Sequence, residues 1–335
     1  MAVMLEHLES TTDELGCFFS PFFVLGFFFV AGYTHRAGQA LKPFMLKKVR
    51  TLFVPWLIFS VFDITVSQIV SFSAHESFAE ELFWNFMQIR GHGDQIWFVA
   101  ALFMAFIPFY FFIELYERKR ASSGRCAVFI LISLALFYAD NFYSKHAPSD
   151  LFPWGSAALP WHLEYIFQGM FYMTLGYMFK KRWEPTFDRS NTVVFRAVLF
   201  TVYTFIVYVP YFVDIPESMF GFTAVYITPI LGIMLSAAFT KIIHENRYMC
   251  YIGQNTLIYF ALHGKVFSFV EKLLARFSSP LYSAILADTL LSNAFALLFT
   301  FMLSLVLLIP TYIINRYLPF IVGRRRKMPV SAART

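Results

Sequence analysis

Long apolar runs, separated by short polar and mostly basic segments, dominate the chain. A helix needs roughly 20 mostly apolar residues to cross about 30 Å of hydrocarbon, because lipid offers no partner to backbone N–H and C=O groups. Runs of that kind predict membrane-spanning helices near residues 17–34, 51–72, 96–116, 126–143, 163–179, 193–213, 221–240, 249–270 and 288–316. The expected fold is all-α: a single polytopic transmembrane helical bundle over residues 1–335, with about nine spans visible and a basic tail at 317–335. The opening Met1-Ala2-Val3-Met4-Leu5 is apolar and reads as the end of a truncated first helix, so ten helices with both ends inside are expected of a complete form. The alternative is a chain whose N-terminus lies outside and whose first visible span inserts unaided.

Charge supplies the orientation. Twenty-two of the 27 Lys and Arg residues fall in alternate connections, following the first, third, fifth, seventh and ninth spans. Only Arg90, Lys145, Lys265, Lys272 and Arg276 fall on the other side. Basic residues are retained on the cytoplasmic face, which places the tail in the cytoplasm and residues 1–16 outside. The opposite loops carry His75, Glu76, Glu80, Glu81, His92, Asp94, His146, Asp150, Asp214 and Glu217, which suits an aqueous outer face.

Composition agrees with this picture. The chain is 58% hydrophobic and 14% charged, with a mean hydropathy of +0.59, outside the usual balance of a soluble domain. The net charge of +6 follows from the basic inner loops and does not call for a nucleic-acid partner. Cys17, Cys126 and Cys250 are an odd number and imply no disulfide framework. No convincing internal repeat is visible, and no P-loop, Gly-x-Ser-x-Gly elbow, His-x-x-x-His or Cys-x-x-Cys spacing occurs. No metal site is therefore expected.

Several residues could carry chemistry, and each also has an ordinary reading. His7 stands at the outer edge of the first apolar segment, where an imidazole could accept a proton or be merely solvated. Lys47, Lys48 and Arg50 lie at the inner end of a span, placed to grip a phosphate-rich molecule or simply to orient the helix and meet lipid headgroups. Asp63 and Glu164 fall within spans, where an acid faces either a cavity or a structural partner. His263, in Leu262-His263-Gly264, has the same two readings.

Taken in order, these segments resemble the membrane acyltransferase 3 family, especially its branch of fucose 4-O-acetylase-like and surface-glycan O-acetyltransferases. His7 is followed by Val30-Ala31-Gly32-Tyr33, then by the basic run Lys47-Lys48-Val49-Arg50-Thr51-Leu52-Phe53-Val54-Pro55-Trp56. Ile96-Trp97-Phe98-Val99, Leu159-Pro160-Trp161-His162-Leu163-Glu164 and Leu175-Gly176-Tyr177 come next. Tyr251-Ile252-Gly253-Gln254-Asn255-Thr256-Leu257, with His263 downstream, completes the series. The resemblance covers residues 3 to about 270, and the last helix fits by position. Ala31 and Thr256 stand where the family usually has Ser, and no basic residue precedes His7.

The resemblance implies an inner-membrane O-acyltransferase that moves an acetyl group from cytoplasmic acetyl-CoA to a hydroxyl of an extracytoplasmic or lipid-linked glycan. Acyl-CoA would be a co-substrate, with no permanently bound cofactor; a glycan acceptor and membrane lipids are the other implied partners. On this reading Lys47, Lys48 and Arg50 bind the CoA phosphates, whose pantetheine arm extends up through the bundle. His7 acts with Glu164 in catalysis, and Tyr33, Asp63, Trp97, Trp161 and His263 line the cavity. The competing readings are a glycan or lipid-linked oligosaccharide transporter, and a non-catalytic relative of the family.

Overall fold

A computed structural model of the chain describes residues 2–8, 10–70, 77–92, 96–119, 122–213, 216, 221–243 and 246–324. His75, Glu76, Asp94, Asp214, Glu217 and the tail beyond 324 lie outside the described residues, as does Arg120. Those described are overwhelmingly helical, with no strand among them. In chain order the helices are α1 (Ala2–Glu6), α2 (Asp13–Phe19), α3 (Phe23–Tyr33), α4 (Leu41–Lys48), α5 (Val54–Val70), α6 (Phe78–Met87), α7 (Trp97–Glu117) and α8 (Ser123–His146). They continue with α9 (Ile166–Met178), α10 (Glu184–Ser190), α11 (Val193–Tyr208), α12 (Thr228–Thr240), α13 (Arg247–Gln254), α14 (Thr256–Phe277), α15 (Ser279–Ala287), α16 (Thr289–Val306) and α17 (Leu308–Tyr317).

Among the described residues seven stretches are long and apolar enough to cross a membrane: Asp13–Tyr33, Leu41–Ile69, Trp97–Glu117, Ser123–His146, Val193–Tyr211, Thr223–Thr240 and Thr289–Tyr317. The chain is thus a multi-pass membrane protein. The two other expected spans, 163–179 and 249–270, are helical but fall outside this set. Basic Lys180, Lys181 and Arg182 close the first within a few turns, while the second is interrupted at Asn255 and carries Lys265, Glu271 and Lys272. Large apolar side chains such as Leu131, Phe205, Leu298 and Ile309 remain exposed on the long helices, as a surface solvated by lipid tails requires.

Polar residues mark where helices begin. Asp288 accepts the amide of Leu291 at 2.8 Å, Asn246 accepts those of Tyr248 and Met249, and Thr192 and Ser122 cap α11 and α8 in the same way. Ser77 caps α6, whose first turn also holds Glu80 and Glu81. Pro21 sits in the turn between α2 and α3, where its missing N–H breaks the helical ladder and bends the first span.

The described residues form two compact units, each discontinuous in sequence: residues 1–35, 126–130 and 171–307, and residues 36–125, 131–170 and 308–335. In the first unit α3 and α9 cross at glycines. A Cβ on Gly32 would lie 1.8 Å from the carbonyl oxygen of Met173, and one on Gly176 would lie 1.9 Å from that of Phe29, so only glycine permits this approach. Residues 2–8 and 10–12 pack as a strap on α14 and α16. Met4, Leu5 and Leu8 bury against Tyr259, Phe267, Ala296 and Leu303, while the Oγ of Ser292 donates to the Ser10 carbonyl at 2.7 Å. Thr12 adds amide and hydroxyl bonds to Asn293 at 3.2 and 3.0 Å.

In the second unit a π-helical turn, Val49–Phe53, joins α4 to α5. A 3₁₀ turn, Pro319–Val322, ends at Gly323 with φ +68°, and Gly323 backs directly onto the Arg50 carbonyl: a Cβ there would lie 2.3 Å away. This docking of the chain's C-terminal segment on the basic turn has no signal in the hydrophobic pattern.

Candidate functional site

The basic end of the second unit is built by α4 and the π-helical turn. Lys47 and Arg50 are exposed, whereas Lys48 is half-buried, its Nζ 3.4 Å from the centroid of the Phe106 ring and 5.4 Å from that of Phe44. Cation–π contact with two rings holds one ammonium at the edge of the aromatic interior, with two exposed cations beside it in the chain. That arrangement suits a polyanion whose apolar extension enters the unit.

From Phe106 inward the same unit carries a chain of rings. Phe53 lies 5.8 Å from Phe103 and stacks on Trp161 at 5.8 Å, and Trp161 in turn lies 5.0 Å from the buried Trp56. Trp161 and His162 occupy consecutive left-handed conformations, with φ of +59° and +51°. Such backbone costs on the order of 1–3 kcal/mol per residue for side chains with a Cβ, and it is retained where surrounding packing over-determines it. The reversed turn carries Trp161 down among the rings and brings His162, 1% exposed, to 5.4 Å from Trp97 between ring centroids. Glu164 is buried as well. Its Oε2 accepts the amide of Leu159 at 3.0 Å, and its Oε1 lies 3.7 Å from His162 Nδ1. Just below, the Asp140 carboxylate accepts the amides of Phe167 at 2.7 Å and Gln168 at 3.1 Å, capping α9. Arg90 donates to the Tyr165 hydroxyl. Asp63 is buried on α5.

In the first unit the strap places His7 at the end of α1, with its ring 5.0 Å from that of His263 and inclined at 52°. His263 is buried on α14, and its Nδ1 lies 2.7 Å from the Phe260 carbonyl and 3.2 Å from that of Tyr259. Two carbonyl neighbours require the proton on Nδ1, which leaves Nε2 as a lone-pair nitrogen without a hydrogen-bond partner. Phe267 closes one side of the pair, edge-on to His263 at 5.7 Å. His7 itself has an exposed edge, and the partial loss of water around the ring lowers its pKa from the ordinary imidazole value. The arrangement therefore presents a neutral imidazole, able to accept a proton, on an accessible rim.

The expected residues thus fall into separate groups. The structure brings His7 together with His263, and brings Trp97, Trp161 and Glu164 together with a further residue, His162. Tyr33, expected along a cavity, instead donates its hydroxyl to Glu184 Oε1 at 2.7 Å, and Lys241 Nζ meets the same oxygen at 2.6 Å. Asp188 and Lys180 complete that polar knot at the basic end of the first unit. His162 and Glu184 were not singled out in the sequence. His162 had a weak signal, standing two residues before an intramembrane acid; Glu184, in a charged loop, had none. Among the described residues no group of three or more His, Cys, Asp or Glu side chains could hold a metal ion.

A buried acid in the second unit and an accessible neutral imidazole in the first are each groups that can take part in proton transfer. Neither the curated proteins nor the solved structures contain a match to the chain. The family profile described as an acyltransferase domain matches residues 3–314, nearly the whole chain, and the protein therefore belongs to the membrane acyltransferase 3 family.

Proposed function

We propose that this membrane acyltransferase is an O-acetyltransferase of the inner membrane, moving acetyl from cytoplasmic acetyl-CoA to a hydroxyl of an extracytoplasmic glycan. The observation that carries the reading is the accessible His7 beside His263, whose Nδ1–H donates to the Phe260 carbonyl and fixes the ring against its neighbour. In this mechanism a nitrogen of His7 takes the acceptor's hydroxyl proton as the oxygen attacks the thioester carbonyl. The tetrahedral intermediate then expels CoA as thiolate, which recovers the proton.

Donor recognition is assigned to the second unit. Lys47, Lys48 and Arg50 would hold the phosphates through charge-assisted hydrogen bonds, with the ring series from Phe106 to Trp161 accommodating the uncharged arm. Trp97 and Glu164, with His162, would orient the reacting end.

The deciding experiment measures transfer of labelled acetyl from acetyl-CoA to surface-type glycan in membranes containing wild-type or His7→Gln protein at equal folded abundance. Loss of transfer in the variant is expected. Undiminished transfer would remove His7 from the mechanism, and absence of transfer from acetyl-CoA by the wild type to any glycan would overturn the acetyl assignment.

A further inference from the structure

We infer that the first unit binds a neutral, hydroxyl-bearing amphiphile of the glycolipid class, with its headgroup in one cavity and its hydrocarbon chain in an adjoining one. As the identity of an acceptor, this rests on the acetyl-transfer reading; as a binding site, it stands on the cavities alone.

The first cavity, about 330 Å³, is lined by Glu6, Thr11, Thr12 and Asp13. The second, about 610 Å³, is walled by apolar groups, among them Pro21, Phe205, Val207, Pro210 and Ala224. Cys17, Ser20 and Tyr211 line both, so the two are contiguous. Both volumes fall within the range of small-molecule sites.

The space has a local cause. Three helices lose regular geometry at the same end: α2 gives way to α3 at Pro21, α11 tightens into the 3₁₀ turn Val209–Tyr211, and the π-helical turn Thr223–Ile227 precedes α12. The far ends of α3 and α12 are tied to α10 by the Tyr33, Glu184 and Lys241 bonds. The cleft lies among helices whose outer side chains, such as Phe205, are exposed to lipid, so a hydrocarbon chain can enter it from the bilayer.

Charge selects the headgroup. Glu6 and Asp13 place two carboxylates on the polar cavity, which disfavours a phosphate or diphosphate headgroup by like-charge repulsion. The same carboxylate oxygens accept hydrogen bonds from a polyol, and the hydroxyls of Thr11 and Thr12, which donate to the Leu5 carbonyl and to Asn293, keep lone pairs that can accept as well.

The test uses the full-length protein in phospholipid nanodiscs and decyl glucoside carrying a diazirine at the chain end, with cross-linked peptides mapped by mass spectrometry. Cross-links are expected in peptides containing Phe205–Pro210 or Thr223–Thr228, suppressed by excess decyl glucoside and not by decyl phosphate. Ala224→Trp should reduce them roughly tenfold, equivalent to displacing about two methylenes from the cleft. Should that variant fail to fold, the Glu6→Gln, Asp13→Asn double variant serves instead, since it should let decyl phosphate compete. Labelling spread evenly over the lipid-facing helices, or suppressed equally by both competitors in the wild type, would overturn the inference. His7→Gln should leave labelling intact, so failure of the catalytic reading and failure of this one are separately visible.

Discussion

His7 and Lys48 illustrate how neighbours convert common residues into candidates for specific tasks. General-base catalysis is typically worth roughly 10² to 10⁴ in rate, so His7→Gln should lower kcat by that order in the labelled-acetyl assay with little change in donor KM. Because desolvation places the His7 pKa below its ordinary value of about 6.5, the imidazole is neutral and active at pH 7. It loses function only when protonated. The acid limb of kcat/KM in wild-type membranes should therefore lie below about pH 6.5, and a midpoint above 7 would contradict the assignment. Lys48 differs from Lys47 and Arg50 in being held over Phe106. A charge-assisted bond contributes about 1.5–3 kcal/mol, so Lys48→Gln should raise the KM for acetyl-CoA by roughly 10- to 100-fold while leaving kcat near wild type.

The crossing of α3 and α9 depends on backbone contact at Gly32 and Gly176. Gly176→Ala puts a methyl against the Phe29 carbonyl, and overpacking of this kind costs about 1–3 kcal/mol, to be read as a lowered thermal midpoint in detergent. The Glu184 to Lys241 pair links α10 to the end of α12, and its pH dependence follows from two opposed shifts. Burial tends to raise the Glu184 pKa, but hydrogen bonds from Lys241 and Tyr33 outweigh it and hold the carboxyl below its usual value. The stability it contributes is thus present above about pH 4.3 and lost as pH falls through the folded value. Lys241 is raised, first by its bond to Glu184, so its contribution is present below about pH 10.4 and lost above the folded value. Both groups meet solvent, which limits the pair to about 1 kcal/mol or less. The difference in thermal midpoint between wild type and Glu184→Gln should therefore be small, constant from about pH 5 to 9, and shrink below about pH 4.

Across the whole chain, the distribution of basic residues predicts which loops face the cytoplasm. Cys250 is exposed near the start of α13, on the face assigned to the cytoplasm. A membrane-impermeant maleimide added to sealed cells should leave it unlabelled, and permeabilisation should make it reactive. Labelling in sealed cells would invert the topology, and with it the side from which acetyl-CoA must come.

The amino-acid order was enough to establish an all-helical membrane protein and to locate its main spans. Backbone desolvation sets a minimum apolar length, and the insertion bias acts on charges flanking each run, so both leave one-dimensional signatures. Those signatures are diluted by Lys180 to Arg182 and by Lys265, Glu271 and Lys272, so two of the expected spans, though helical, fall outside the seven long apolar stretches among the described residues. Pairing across distant segments left no such trace. The meeting of His7 with His263 depends on a strap pinned by Ser292 and Asn293, and the capture of Tyr33 by Glu184 depends on how α9 and α10 pass α3. His162 owes its place to two consecutive left-handed residues that no propensity favours, so that geometry comes from packing around the turn and not from the local chain.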